Sequence, residues 1–444
     1  MKTISISKLT YDKSSGTALI NIEETSGGSS TLNIDLETLL PFANLVSKEV
    51  FDFFIISASV YGIDRFVERK QNSVDGWSRE LKVSFPVHNP SKWNACKADL
   101  NRLLSFLTGD YWDVGFRNET FDIPKIPLDK EYSVPFEQVN LLSGGLDSLI
   151  GALDFLKQNP KKRVLFVSHY DPQMRGVLKD QGKIIPSLVK IYPNQFAYID
   201  SIKVTLQREA GIGREKTFRS RSILFVGLAL IAAEATKTKN IIIPENGTVS
   251  LNFPLSASRR SSCSTRTTHP YVLEILISIW NKLSINTHIS NPYEFKTKGQ
   301  MVQECLKNNS NLLDLIEHSN SCGKRGHVKD WTNRNANHCG VCMPCIYRQA
   351  SLLTLKDKSK YGDLINNLFP IKEKRDKSQD SGAMLDFLNN PITKEEIKQE
   401  LIVGGVKNLS KLNQYVEVVW RTREELKLWT KKVGNSTVKA KAGV

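Results

Sequence analysis

The first stretch that could carry out chemistry is Ser-Gly-Gly-Leu-Asp-Ser at residues 143–148, between the apolar run 139–142 and a helical pattern. Paired glycines permit a tight turn whose backbone N–H groups face an anion, and a helix N-terminus adds a favourable dipole. The hydroxyls of Ser143 and Ser148 add donors at the same place. The sequence therefore predicts a phosphate-binding strand–turn–helix. A plain Gly-Gly turn is the alternative.

The loop lacks the Gly-x-x-x-x-Gly-Lys-Ser/Thr pattern, whose lysine holds β- and γ-phosphates. Because that lysine is missing, cleavage between the α- and β-phosphates of a nucleotide fits the loop better.

A second stretch has metal-binding chemistry: Cys339, Cys342 and Cys345 follow one another at intervals of three, and Cys322 lies upstream. Four thiolates suffice for a closed tetrahedral zinc site, which is structural because no position is open to water. An iron–sulfur cluster uses similar spacing and stays open, although nothing else in the chain indicates redox work. His338 lies beside the run, but four cysteines already fill the coordination shell.

The elements that must position these groups begin at residue 139, where strand and helix patterns start to alternate. This alternation predicts a doubly wound parallel sheet, which binds ligands at the carboxyl ends of its strands. The candidate residues at those ends are 143–148, 168–170, 219–221 and 245–247. For His169, a structural and a catalytic role are equally open.

The flanking regions predict two further parts. Residues 1–130 indicate an α+β module with strand patterns at 3–9, 17–22, 31–34 and 81–87, a strand candidate at 51–60, and a helix near 91–107. Arg65, Arg69, Trp77 and Arg79 form either a binding face or an ordinary basic surface. Residues 357–444 indicate a helical extension with a frayed tail after residue 433.

Length and composition set broad limits. At 444 residues with 40% hydrophobic content, two or three domains are expected, and no apolar run is long enough for a signal peptide or a membrane span. Seven cysteines suit a reducing compartment, so we expect a cytoplasmic protein. The net charge of +15 leaves direct nucleic-acid binding open, because a site crowded with phosphates accounts for it equally well.

Four motifs follow one another along the chain. They are the loop at 143–148, Phe-Arg-Ser-Arg-Ser at 218–222, Lys-Thr-Lys-Gly at 296–299 and the cysteine run with Arg348. In this order the chain resembles the 7-cyano-7-deazaguanine synthase (QueC) family of PP-loop ATP pyrophosphatases over residues 139–355. The resemblance implies a Rossmann-like fold of the adenine nucleotide alpha hydrolase type with a zinc knuckle. It predicts an N-terminal module at residues 1–130, a PP-loop domain at 131–356 and a C-terminal extension at 357–444.

The resemblance also implies cofactors, site residues and a reaction. ATP, Mg²⁺ and Zn²⁺ are expected, with ATP adenylating the carboxylate of 7-carboxy-7-deazaguanine before ammonia attacks to give an amide and then a nitrile. Zinc is assigned to Cys322, Cys339, Cys342 and Cys345. The catalytic residues expected are Ser143, Asp147, Ser148 and Arg221, and the nucleotide-binding residues expected are Ser143, Gly144, Gly145, Leu146, Asp147, Ser148, Ser168 and His169.

The chain departs from the family in two ways. Residues 252–255 and the arginine-rich loop with Arg259, Arg260 and Arg266 replace the stretch that reads the base. The extra regions resemble the QueC-like proteins of bacterial anti-phage defence, particularly the QatC component of the Qat system, which implies a partner protein as amine donor. Three tryptophans are candidate anchors for that partner: Trp77, Trp420 and Trp429.

Three classes of function remain open from the sequence. They are an adenylating amide-forming enzyme, a tRNA-modifying PP-loop enzyme, and a binding protein without activity. A sulfur-inserting tRNA enzyme requires a catalytic cysteine near the nucleotide, and Cys263 is the residue that keeps this class open. The added regions also have a plainer explanation, in which they only stabilise the fold or form a homodimer.

Overall fold

The computed structural model describes residues 1–7, 9–121, 123–174, 176–207, 215, 217–256, 266–355, 357–369 and 375–444. It is a mixed α/β protein with a large, mostly parallel sheet. The strands are β1 (Lys2–Ile6), β2 (Thr10–Asp12), β3 (Thr17–Glu24), β4 (Ser29–Asp35), β5 (Glu80–Val87), β6 (Tyr111–Asn118), β7 (Gln138–Leu141), β8 (Val164–Tyr170), β9 (Phe196–Leu206), β10 (Asn240–Ile242) and β11 (His288–Ser290).

Helices connect these strands and form the C-terminal part of the chain. They are α1 (Leu40–Ala43), α2 (Lys48–Phe66), α3 (Arg69–Asn72), α4 (Pro90–Asn94), α5 (Lys97–Thr108), α6 (Leu146–Gln158), α7 (Val177–Ile191), α8 (Arg221–Ala235), α9 (Gly247–Leu251), α10 (Pro270–Lys282), α11 (Lys298–Asn308), α12 (Leu312–Leu315), α13 (Met343–Ser351), α14 (Arg375–Asn389), α15 (Lys394–Val403), α16 (Leu412–Val433) and α17 (Ser436–Ala442).

The strands after residue 137 form a parallel half-sheet in the order β11-β10-β7-β8-β9. Counted from β7, this order is 5-4-1-2-3, the arrangement of doubly wound nucleotide-binding sheets. Apolar side chains of β8 enter two cores, one with α2 and α8 and the other with α6, α7 and α11, and those of β7 enter the first of these. The chain reverses its direction of winding between β7 and β10, so the crevice for a ligand lies where these two strands end.

The N-terminal strands continue the same sheet. β4 pairs antiparallel with β9, and β3, β1, β5 and β6 follow in that order, with β2 paired to β3. The predicted parallel sheet is therefore one half of a larger mixed sheet that also contains strands of the N-terminal region.

The prediction of a strand at residues 51–60 is wrong, because this run lies within α2. All of its side chains are buried, including the polar Asp52, Ser57 and Ser59, so the run shows no alternation of an apolar and an exposed helix face. Periodicity alone does not separate such a helix from a buried strand. α2 packs between the N-terminal strands and α8.

The prediction of a frayed tail after residue 433 is also wrong. The tail forms α17, whose first turn is capped by the Asn435 side chain, and it packs on α14. Val438 and Ala442 are fully buried and supply the apolar anchors that the sequence analysis overlooked. Among the described helices, none has the length and apolar character that crossing a bilayer would require.

Candidate functional site

The predicted phosphate loop lies between β7 and α6, at the carboxyl end of β7, where the chain reverses its direction of winding. Gly144 has φ +85°, a conformation that a side chain would disfavour, and Gly145 caps α6. The Ser143 and Ser148 hydroxyls lie 3.2 Å apart, and Ser143 is exposed while Ser148 is buried. The exposed loop at the N-terminus of a 13-residue helix is suited to bind an anion.

Asp147 joins this loop to two other segments of the chain. Its Oδ2 accepts a hydrogen bond of 2.6 Å from the Asn246 amide, which follows β10, and its other oxygen forms an ion pair with Lys298. Lys298 is 5% exposed and is the first residue of α11, where the helix dipole disfavours a cation. Asp147 offsets this cost, so a carboxylate and an ammonium lie beside the phosphate loop.

Glu245 adds a second carboxylate at the end of β10. It accepts a hydrogen bond from the Thr268 hydroxyl, and its backbone carbonyl accepts one of 2.7 Å from Asn291. Burial, assisted by the charge of Asp147, raises the pKa of Glu245 to about 7, although Lys298 opposes the shift. Glu245 therefore changes its charge near neutral pH, next to the predicted catalytic aspartate.

The three predicted residues beyond the loop occupy different environments. Ser168 is fully buried and donates a 2.6 Å hydrogen bond to the Leu142 carbonyl, so its hydroxyl supports the loop from beneath. His169 is also buried, and its Nε2 accepts a 3.2 Å hydrogen bond from Arg221 Nε. Burial, followed by the charge of Arg221, places the pKa of His169 well below its usual range, so the ring is neutral.

Arg221 carries a charge without a direct counter-ion. Within the described ranges, its guanidinium forms no ion pair with a carboxylate, and its Nη2 has no hydrogen-bond partner. Burial lowers the pKa of Arg221 from its usual value, although Tyr61 and Asp171 oppose the shift. Arg221 as a whole is partly exposed, but its Nη2 is buried, and a buried cationic group is costly unless a counter-charge reaches it. A desolvated cation of this kind marks a candidate binding site for an anionic ligand.

The four predicted metal ligands lie together. The sulfur atoms of Cys322, Cys339, Cys342 and Cys345 are all within 4.8 Å of one another, and those of Cys339 and Cys345 are 3.8 Å apart. A tetrahedral zinc with bonds of about 2.3 Å spaces its sulfurs about 3.8 Å apart, so the residues fit this ion. His338 is buried outside this group, as the filled coordination shell requires.

Asn320 connects the cysteine cluster with the phosphate loop. Its backbone N–H donates to the Gly144 carbonyl at 2.9 Å, and its side chain accepts from the Cys322 N–H at 2.8 Å. The same side chain donates to the Asn337 carbonyl at 2.9 Å. Arg348 holds Ser319, the residue before Asn320, through a 2.9 Å hydrogen bond to the Ser319 hydroxyl. The cysteine cluster is therefore joined to the loop through Asn320.

Sequence reasoning missed the roles of Lys298, Asn246 and Asn320. Lys298 lay in the noted Lys-Thr-Lys-Gly segment, and a lysine directly after a capping threonine was a signal, because it opposes the helix dipole. Asn246 stood in a noted strand-end group without a role. For Asn320 no signal of contact with the loop existed, since the Gly144 carbonyl that its backbone N–H contacts is distant in sequence.

Several other predicted candidates have different positions. Arg65, Arg69 and Arg79 are buried, so the N-terminal basic group is neither an ordinary surface nor an exposed binding face. Trp429 is 2% exposed in the C-terminal core and does not face a partner in this structure. Arg259, Arg260 and Cys263 lie outside the described residues, whereas Arg266 lies over the Phe106 ring at 4.4 Å.

The fold and the site together define a mixed α/β protein with a glycine-rich loop suited to bind an anion and four cysteines positioned to hold a metal ion. No protein-family model and no curated protein matches the chain.

Proposed function

We propose that this chain is an ATP-dependent adenylating enzyme with a PP-loop fold of the QueC-like type. The observation that carries the proposal is the cluster at the sheet's reversal point, where Asp147 of the phosphate loop binds Lys298 and Asn246. The cluster lies beside the loop and supplies one cation, Lys298. The loop itself contains no lysine that could hold the γ-phosphate. This arrangement suits a reaction in which pyrophosphate is the leaving group.

The proposed substrate is the carboxylate of 7-carboxy-7-deazaguanine or a close relative. A carboxylate oxygen attacks the α-phosphorus of ATP, the bond to the β-phosphate oxygen breaks, and pyrophosphate leaves. An uncharged amine then attacks the acyl carbon, which releases AMP and one proton and leaves an amide. Arg221 binds an anionic group of the reactants, while Ser143, Ser148 and the loop N–H groups hold the phosphates.

The chain's residues also suit two metal ions. Asp147 and Glu245 offer the hard oxygen ligands that Mg²⁺ prefers, and such an ion neutralises the charge of a polyphosphate leaving group. The four cysteines suit zinc, which would fill its coordination shell with sulfur and act by holding the fold.

A second part of the proposal concerns the amine. We propose that a partner protein of a defence system donates a terminal amine, and that the N- and C-terminal regions form the surface which holds it. Trp77 and Trp420 are partly exposed and remain available for such a surface. Ammonia as the donor, with a free nitrile or amide product, is the alternative.

Carboxylate-dependent exchange of labelled pyrophosphate into ATP tests the adenylation step without requiring any amine. We expect exchange with the wild-type chain, ATP, Mg²⁺ and 7-carboxy-7-deazaguanine, and its loss in Asp147→Asn. Glu417→Gln is a suitable control, because Glu417 forms only an exposed pair with Lys394. Formation of ADP and phosphate, or exchange without the carboxylate, would refute the proposal.

A further inference from the structure

The C-terminal half of α2 belongs to the N-terminal region, yet it contacts the sheet edge where the proposed substrates bind. Asp64 and Arg65 follow Tyr61 by three and four residues, so both lie on the same side of the helix as Tyr61, and all three are buried. The Tyr61 hydroxyl donates a 2.6 Å hydrogen bond to Asp171, the first residue after β8. Arg65 lies 4.0 Å over the ring of Phe218, just before α8. This face therefore contacts the segment after β8, which contains Asp171, and the segment before α8, which contains Phe218.

Asp64 holds the start of α8 directly. Its Oδ2 accepts hydrogen bonds from the Ser220 backbone N–H at 3.1 Å and from the Ser220 hydroxyl at 2.8 Å. Ser220 is the residue before α8, and Arg221 is the first residue of that helix. The backbone position of Arg221 is thus set by a carboxylate from a different part of the chain.

Asp64 is itself fixed by a buried network of charges. Arg79 and Arg69 bind it at 2.6 and 3.3 Å, and both arginines also bind Asp110. Burial alone would raise the pKa of Asp64, but the two guanidinium groups lower it below the usual value. Asp64 is therefore ionised at neutral pH and acts as a fixed acceptor for Ser220.

Tyr61 acts on the side chain of Arg221 through a neighbour. Its ring meets His169 edge to face with centroids 6.0 Å apart, while its hydroxyl holds Asp171. His169 in turn accepts the hydrogen bond from Arg221 Nε. Backbone and side chain of Arg221 are therefore held from the same helix face, although its Nη2 has no hydrogen-bond partner in the described part of the chain.

We propose that Tyr61 and Asp64 are positioning residues that aim Arg221 at an anionic group of the reactants. The N-terminal region is then part of the machinery of the active site. This inference rests on the proposed adenylation, and it adds a role for residues that touch no substrate. A cation that is held on both sides and forms no ion pair with a carboxylate of the described residues is preorganised for charge that arrives with the substrate.

The test is a double-mutant cycle measured by carboxylate-dependent pyrophosphate exchange. Tyr61→Phe removes only the hydroxyl, and Ser220→Ala removes one of the two bonds to Asp64. Each is expected to lower kcat/KM about tenfold, as the loss of a buried hydrogen bond does. In an Arg221→Ala background, Tyr61→Phe should change kcat/KM by less than about twofold, because residues that act as a unit are not additive.

Ser59→Ala is the matched control, because Ser59 is buried on the same helix and its hydroxyl has no hydrogen-bond partner within the described residues. It should retain wild-type exchange. Two results would overturn the inference and leave the proposed adenylation untouched. Tyr61→Phe could show the same kcat/KM as this control, or it could lower kcat/KM by the same factor with and without Arg221. A wild-type chain without any exchange would overturn both, so the two failures are distinguishable.

Discussion

At the scale of single residues, Glu245 gives the site a dependence on pH. The pKa of Glu245 is raised from 4.5 to about 7, mainly by burial and then by Asp147. Binding of Mg²⁺ requires the ionised carboxylate, so the affinity for Mg²⁺ with an ATP analogue should rise from about pH 6 through about pH 7 and level off above about pH 8. Calorimetric titration across this range measures the effect.

Glu245→Gln should remove most of this pH dependence, whereas Glu417→Gln should leave it unchanged. The same raised pKa affects stability. Between pH 4.5 and 7 the folded state binds more protons at Glu245 than the unfolded state, so this residue's contribution to stability falls as the pH rises through that window. An unaltered pH profile in Glu245→Gln would contradict the assignment.

Lys298 is the residue for which we expect a large effect on catalysis. Lys298→Met removes the cation beside the phosphate loop and leaves Asp147 with Asn246 alone. Pyrophosphate exchange should fall about a hundredfold, the loss typical for a group that stabilises developing charge. Lys296→Met is the control, since Lys296 lies two residues away and pairs with Glu304. Equal rates in the two variants would exclude this role.

At the scale of elements, the cysteine cluster and the phosphate loop form one unit. Cys342→Ser should lose the metal and lower the midpoint of thermal unfolding, because a buried thiolate ligand is gone. Elemental analysis should find one zinc per wild-type chain and much less in the variant. A stoichiometric iron–sulfur absorption spectrum from the wild-type chain would contradict zinc.

Asn320→Ala separates support of the loop from metal binding. The variant keeps all four cysteines and the backbone bond to Gly144, but it loses the side-chain bonds to Cys322 and Asn337 that hold Asn320, and with it the loop, against the cysteine segment. We expect a normal zinc content and an affinity for an ATP analogue lowered roughly five- to tenfold. Asn335→Ala, at an exposed position of the same segment, should match the wild type. A loss of zinc in Asn320→Ala would show that Asn320 serves the cluster and not the loop.

Some of these elements could be predicted from the sequence and others could not, and the difference has physical reasons. Buried parallel strands such as β8 read as continuous apolar runs, and the loop after β7 carries its own glycine pattern, so both were predictable. α2 was not, because a helix buried on every side has no stripe. The pairing of Asp147 with Lys298 joins residues 151 positions apart, and no local pattern encodes such a distance.

At the scale of the whole molecule, the acceptor of the acyl group can be identified by mass. A partner purified together with the wild-type chain should gain the mass of the deazaguanine acyl group, and one purified with Asp147→Asn should not. Intact-mass spectrometry of both preparations gives the answer. An unmodified partner beside free nitrile or amide would establish ammonia as the donor and leave the adenylation step intact.

The pairing of β4 with β9 governs how the chain can be divided. Removing residues 1–118 would take β4 away from β9, which would keep only β8 as a neighbour. The edge opened on β9 would carry a row of unpaired backbone groups, which is a template for self-association. The shortened chain should therefore precipitate or form aggregates under light scattering, even though it retains the four clustered cysteines and the whole phosphate loop. Engineering of a minimal catalyst from this chain would have to begin by shielding that strand.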